Sequence, residues 1–262
     1  MVRVKELFNN LYKYRQLLKS NVSKEIRGKY KGSFLGVLWS FVNPLLTTLV
    51  YAIVFPLILK NTEPHYVTFI VIGILPWTYF TSTIMQGTTT MLINAGIIKK
   101  VYFPREILPI SINMSGLINF MISCLIICIF LICSGIGFSW YIIFLPLIAI
   151  TQFALQQGII FITSAINVYI RDAEYIINFI VNMLFYATPV LYSATLFENS
   201  PLHWIITLNP MATIVNCYRD ILFYQSMPHI KALLVVLLAS CILCMIGLKI
   251  FRRLEKGFAE EL

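Results

Sequence analysis

The sequence predicts an all-α, polytopic membrane protein with six transmembrane helices per protomer, and three observations carry that prediction. Of 262 residues, 59% are hydrophobic and only 12% are charged, roughly half the charged share of an ordinary soluble domain. Apolar stretches of spanning length recur along the chain, near 36–59, 66–92, 107–133, 141–167, 175–197 and 230–251. At ~1.5 Å per residue each can cross roughly 30 Å of hydrocarbon with some tilt. Lysine and arginine gather in alternate connecting segments, the asymmetry that orients a chain threaded through a bilayer.

Residues 1–35 precede the first span. Leu7, Leu11, Leu18, Val22 and Ile26 keep nearly helical spacing with basic residues between them. That pattern over 4–26 predicts an amphipathic helix lying in the membrane interface. These polar, basic residues contain no short apolar core before a cleavage site, so no removable leader is expected. RGKYKGSFLGVLWSFVNPLL at 27–46 then brings charge directly against hydrophobic sequence. Arg27, Lys29 and Lys31 are positioned to reach lipid phosphates, Gly32 and Gly36 let the chain bend, and Trp39 anchors the first span at headgroup depth.

The segments 1–35, 93–106, 168–174 and the C-terminal end hold seventeen of the twenty lysines and arginines, leaving Lys60, Arg219 and Lys231 on the opposite side. Both termini are therefore expected on the cytoplasmic side, with 252–262 as a cytoplasmic tail. Pro44, Pro76, Pro146 and Pro189 fall inside the spans, where membrane helices tolerate proline. The stretch 198–229 is too long for a turn and too apolar for a solvated loop. It predicts short re-entrant helices on the extracytoplasmic side, with Trp204, Asn209 and Pro210 as a lid over an exit.

Several chemistries are excluded. No GxxxxGK[ST] occurs, so the chain has no P-loop for nucleotide phosphates. His65, His203 and His229 are too scattered for a metal site. The six cysteines have no nearby histidine, and the Cys241–Cys244 pair lies in apolar sequence unsuited to redox or zinc chemistry. No Ser–His or Cys–His pair can be placed within a membrane for intramembrane proteolysis, so no catalytic residue is expected, and no cofactor is expected in this chain. Deep span positions carry no Asp, Glu, Lys or Arg, which disfavours ion-coupled transport and points to an energy source on another chain.

The spans do carry neutral hydrogen-bonding stripes. Trp39, Asn43, Thr47 and Tyr51 follow one another at single-turn spacing, and Tyr175, Asn178, Asn182 and Tyr186 form a second such row. Amides in lipid need partners, so the stripes face protein or a cavity. A passage of amides and flat aromatic faces suits sugars, whose hydroxyls pair with amides and whose C–H faces lie on rings. The short segment 94–106 mixes Ile98, Tyr102 and Phe103 with Lys99, Lys100 and Arg105, the composition of a docking surface with aromatic anchors and a charged rim.

These residues also resemble a family. KYKGSFLGVLWSFVNPLL at 29–46, KKVYFPREILP at 99–109, VYIRDAEYIINFIVNMLFYATPVLY at 168–192 and LNPMATIVNCYRDILF at 208–223 are similar to permease subunits of ABC-type exporters of O-antigen, capsular polysaccharide or teichoic acid. Lys29 departs from the arginine that is more usual there, keeping charge but losing a bidentate fork. The resemblance implies a homodimer in the bacterial cytoplasmic (inner) membrane with two copies of a cytoplasmic ATPase. ATP and magnesium would sit on that partner, and 94–106 would be the coupling segment. The cargo it implies is a lipid-linked polysaccharide passing between the first and fifth spans of two protomers, with the lipid pyrophosphate at Arg27, Lys29 and Lys31, and no nucleic acid. An exporter of a different amphiphile, a drug or haem, and a membrane scaffold without transport are the rival readings.

Overall fold

The computed structural model describes residues 2–28, 34, 36–59, 65–193 and 203–262, and among them every regular element is helical. The chain begins with α1 (Val2–Lys13) and α2 (Arg15–Gly28). The predicted single helix over 4–26 thus breaks at Tyr14, but only as a kink: Tyr14 N–H still donates to the Asn10 carbonyl at 2.8 Å, and Leu18 N–H to that of Tyr14 at 3.0 Å. Leu7, Leu11, Leu17 and Leu18 pack on a cluster containing Met91, Phe251 and Phe258. Much of the stripe assigned to lipid from sequence is therefore covered by protein.

A 3-10 turn at Gly36–Leu38, entered with Gly36 at φ +50°, leads into α3 (Trp39–Leu59). That left-handed backbone is the bend for which glycine was expected. There follow α4 (Tyr66–Ile93), α5 (Ala95–Ile98), α6 (Ile107–Cys133), α7 (Leu145–Tyr169), α8 (Ala173–Ala187), α9 (His203–Leu208), α10 (Pro210–Leu222), α11 (Ile230–Leu254) and α12 (Phe258–Glu261). Four helical stretches among the described residues are long and apolar enough to cross a membrane: Tyr66–Ile93, Ile107–Cys133, Trp140–Tyr169 and Ile230–Gly257. Val42–Tyr51 within α3, and α8, are shorter apolar pieces.

α4 occupies the middle, touching α3, α6, α7, α8 and α10. Its partners are fastened to it by side-chain amides and hydroxyls. Tyr79 Oη donates to Asn113 Oδ1 at 3.1 Å, and Asn113 Nδ2 donates to Gln157 Oε1 at 3.0 Å, joining α4, α6 and α7. Gln152 Nε2 donates to the Pro76 carbonyl at 2.8 Å, beside the residue that interrupts the helical ladder of α4. Towards the basic end, Thr88 Oγ1 donates to Thr163 Oγ1 at 2.9 Å and Asn167 Nδ2 to the Thr88 carbonyl at 3.2 Å. α7 and α11 approach most closely at two glycines. A Cβ at Gly158 would lie 2.8 Å from the Cys244 nitrogen, and one at Gly247 2.6 Å from the Gly158 carbonyl oxygen. Small residues let helices meet backbone to backbone, where dispersion and polar contacts do the joining in a lipid environment.

The fifth predicted span, 175–197, ends early. α8 has 15 residues, roughly 22 Å. Pro189 disfavours helical backbone in the residue before it, and Thr188 is extended at φ −108°, ψ 131°. Pro189 therefore stops this helix. The backbone beyond it is held by Arg219 of α10, which the charge count had placed on the extracytoplasmic side. Arg219 is only 2% exposed. Its guanidinium donates to the carbonyls of Pro189, Val190 and Tyr192 and stacks 3.6 Å from the centre of the Phe69 ring. Tyr66 Oη takes the carbonyl between them, Leu191, at 2.7 Å. The buried cation is balanced by backbone dipoles and a ring face in place of a carboxylate.

Gly73 gives the guanidinium its room, since a Cβ there would sit 2.6 Å from Arg219 Nη2 and equally close to the Val190 carbonyl oxygen. Arg219→Met should lower the melting temperature of the detergent-solubilised protein by more than Arg219→Lys does, at about 1–3 kcal/mol for each carbonyl left unpaired. Gly73→Ala should destabilise in the same assay. Wild-type melting in all three variants would show that Arg219 does not fasten this turn.

Candidate translocation surface and the charged node at the basic end

α8 has two unlike faces. Ile177, Val181, Leu184 and Phe185 turn towards the core, where Phe185 meets Trp77 at 5.7 Å between ring centres. Tyr175, Asn178, Asn182 and Tyr186 lie on the uncovered side, all exposed, with Phe179 and Met183 exposed beside them. Asn182 Nδ2 donates to Asn178 Oδ1 at 2.8 Å, one turn apart as helical spacing dictates. At its start the helix is tied to α7 by Asn167 Oδ1, which accepts from Glu174 N–H at 3.1 Å, satisfying one of the donors a helix N-terminus leaves over.

The first-span stripe divides. Tyr51 meets α8 through Phe185, at 6.4 Å between rings. Asn43 and Thr47 instead line a groove against α4 and α6, while remaining open on their other side. Trp39 is half-buried where α3 begins. Of the predicted lid, Trp204 stands exposed on α9. Asn209 is buried and occupied: its Oδ1 accepts from Met211 N–H at 2.9 Å, and its Nδ2 donates to Thr188 Oγ1 at 2.8 Å. With Pro210 in the first helical turn, this is a cap that starts α10 and joins it to the end of α8. Asn209 and Pro210 thus form a joint between α8 and α10. Arg27 is exposed near the end of α2, and Lys29 and Lys31 lie outside the described residues.

Within 94–106 the side chains sort sharply. Tyr102 is 97% exposed, with Lys99 and Lys100 exposed before it. Phe103 is only 6% exposed, and Ile98 is buried with it against Phe251 and Phe258. Both hold this segment to the bundle, which leaves Tyr102, Lys99 and Lys100 exposed among the predicted coupling residues. Arg105 donates to the Glu255 carbonyl and lies 5.8 Å from the Phe258 ring centre.

Glu106, which the sequence did not single out, is the centre of this end. Its carboxylate is 3% exposed, and Oε1 accepts from Arg252 Nη2 at 2.9 Å and from Asn10 Nδ2 at 3.2 Å. Arg252 Nη1 also reaches Glu6 at 3.3 Å. The segment 94–106, α1 and the end of α11 therefore share one charged node beside a cleft of about 600 Å³, whose wall includes Lys13, Tyr102 and Lys256. The available signal was an acidic residue opening an apolar helix in a segment otherwise basic, a place where the helix dipole favours negative charge.

Residues 16–223 match the family of ABC-2 type transporters. The chain belongs to that family. An O-antigen export system permease protein, RfbA, of Myxococcus xanthus is 32% identical over 257 residues, covering 98% of this chain and 99% of the relative. Two proteins of the same name from Klebsiella pneumoniae are 35% and 34% identical over 242 residues, 92% of each chain. As an ABC-2 chain it carries the membrane-spanning helices of a transporter and no P-loop of its own. Within this ABC-2 bundle, breaking the Glu106–Arg252 pair from one side should be costly, because a buried carboxylate is left uncompensated. Arg252→Ala should destabilise by about 3 kcal/mol and make α1 sensitive to limited proteolysis. The exchange Glu106→Arg with Arg252→Glu should recover part of both, and an α1 equally protected in all variants would rule out the node as its fastening.

Proposed function

We propose that this chain is the permease of an ATP-driven exporter, moving a lipid-linked polysaccharide across the bacterial cytoplasmic membrane between two copies of itself. The observation that carries this reading is the uncovered polar and aromatic stripe of α8. A surface meeting only lipid would be apolar, because amides and phenols there have no partners. A second copy facing that stripe would enclose a passage of neutral hydrogen-bonding groups and broad rings, with α3 contributing Trp39 and Tyr51. The naming of relatives at 32–35% identity as O-antigen export permeases supports a glycan cargo. So does the neutrality of the stripe, since a drug or haem would favour a more apolar path.

In this reading α3 is the first span, and α8 with the chain beyond Pro189 is the fifth, giving six spans with both termini cytoplasmic. Two copies of a separate ATPase hold ATP and magnesium and dock on 94–106 through Tyr102, Lys99 and Lys100. Their closure pushes that segment, and the Glu106–Arg252 node passes the displacement to α11 and α1 together. The bundle shifts, the passage opens, and the lipid pyrophosphate is received near Arg27, Lys29 and Lys31. Trp204 stands near the exit.

Two experiments test this reading. Tyr102→Ala should release the co-purifying ATPase while the permease stays folded. Phe103→Ala should instead lower thermal stability by about 3 kcal/mol, the cost of emptying a buried aromatic site. An ATPase retained by Tyr102→Ala would move docking elsewhere. For the passage, each ring is worth about 1 kcal/mol of stacking, so Tyr175→Ala or Tyr186→Ala should slow export about fivefold. Replacing Trp39, Tyr51, Tyr175 and Tyr186 together by alanine should abolish surface polysaccharide while ATP hydrolysis continues. Normal display of surface polysaccharide by that variant would defeat the proposal.

A further inference from the structure

Between α3, α4 and α6 runs a groove of about 130 Å³ whose lining extends from Leu75 to Gln86 on α4 and from Ile112 to Ser123 on α6. That is roughly 16 Å along each helix axis. None of its lining residues is charged, yet most are polar. Four of the hydroxyl protons are already committed to backbone carbonyls. Thr78 donates to the Ile74 carbonyl at 2.8 Å, Ser82 to that of Tyr79 at 3.3 Å, Ser115 to that of Ile112 at 2.8 Å, and Ser123 to that of Asn119 at 3.0 Å. A hydroxyl has one proton and two lone pairs, so each of these presents only acceptors to the groove. Two further oxygens, Asn119 Oδ1 and Thr83 Oγ1, are buried with no partner among the described residues, and Thr83 is 2% exposed. Buried polar atoms are nearly always paired, and one that is not calls for an explanation.

The explanation is a guest with hydrogen-bonding groups of its own. The committed hydroxyls, the unpaired Thr83 hydroxyl and the amides of Asn43, Gln86 and Asn119 make a lining of neutral donors and acceptors, which leaves an anion or a cation uncompensated, whereas neutral O–H groups, donor and acceptor at once, pair with it. The apolar part of the lining includes Phe120, which stacks on Tyr79 at 5.2 Å and 14°. Gly116 keeps the site open, since a Cβ there would collide with both Thr83 Oγ1 and the edge of the Tyr79 ring. The volume approaches the ~150 Å³ of a cavity that takes up benzene, so a sugar ring would enter with its outer hydroxyls left at the open side by Asn43 and Thr47.

We propose that this groove is a binding subsite within each protomer for a single neutral, hydroxyl-rich ring: one sugar unit admitted past Asn43 and Thr47. The source of that unit rests on the export reading above, but the subsite is tested without it. Purified protein in lipid nanodiscs is examined by saturation-transfer NMR with the methyl glycosides of glucose, galactose, mannose and N-acetylglucosamine at millimolar concentration. At least one should bind. Thr83→Val and Asn119→Leu should each weaken that glycoside about tenfold, as expected for losing one hydrogen bond to a buried neutral group. Thr83→Ser, which keeps the oxygen, should bind like wild type, and Ser82→Leu, which fills the groove, should abolish binding. Absence of binding by every glycoside overturns the subsite, as does equal binding by the wild type and all groove variants. Surface polysaccharide in the Tyr175→Ala and Tyr186→Ala cells measures the export reading separately. Glycoside binding lost only in the groove variants, with normal display in those cells, keeps the subsite and removes the passage. Reduced display with no glycoside binding keeps the passage and removes the subsite.

Discussion

Where α4, α6 and α7 meet, the bundle is fastened by amides, and most other features depend on that seam. Lipid offers no hydrogen bonds and no hydrophobic drive between helices, so a polar side chain within it must find a protein partner. The Tyr79–Asn113–Gln157 chain and the Gln152 bond to the Pro76 carbonyl meet that demand across three helices at once. With α4 immobilised by these bonds, both the Arg219 turn against Phe69 and the groove beside α3 acquire a fixed wall. The same rule explains the ends of the bundle. Arg219 can be buried because four successive carbonyls, released from helical pairing by Pro189, are shared between it and Tyr66.

The long helices were legible because unbroken apolar runs and basic punctuation are one-dimensional signals. The predicted runs at 66–92 and 107–133 fall within a residue of α4 and α6. The two-faced character of α8 was legible too, since helical spacing alone puts Tyr175, Asn178, Asn182 and Tyr186 on one side. What sequence could not give was which apolar residues of a short segment are already in use. Tyr102 and Phe103 are adjacent and chemically alike, yet one stands outward and the other packs with Phe251 and Phe258. That choice is made by the C-terminal residues, some 150 positions away. Arg219 escaped notice for the same reason, as its partners lie about 30 residues upstream and are backbone atoms, which sequence does not distinguish.

Neutral polar surface is distributed unevenly over this bundle. At the α4–α6–α7 seam many of the polar groups are paired and hold helices together. On the outer face of α8 they stand uncovered, and in the groove by α3 they line a cavity where two buried oxygens have no partner among the described residues. These are three uses of the same residue types, and they differ only in how many of their hydrogen bonds the protein itself completes. A stripe read from sequence does not separate fastening from recognition; the count of unpaired donors and acceptors does.

The glycine contact between α7 and α11 has a mechanical consequence. Helices separated by large side chains can slide past one another by exchanging rotamers, whereas backbones that touch at Gly158 and Gly247 have no such slack. α11 is 25 residues long, roughly 38 Å, and it ends among the charges around Arg252. Joined to α7 about two-thirds of the way along, near Cys244 and Gly247, it behaves as a strut. A push at its charged foot arrives at the far end almost undiminished, so the distance between the two ends of the molecule need not weaken what one tells the other.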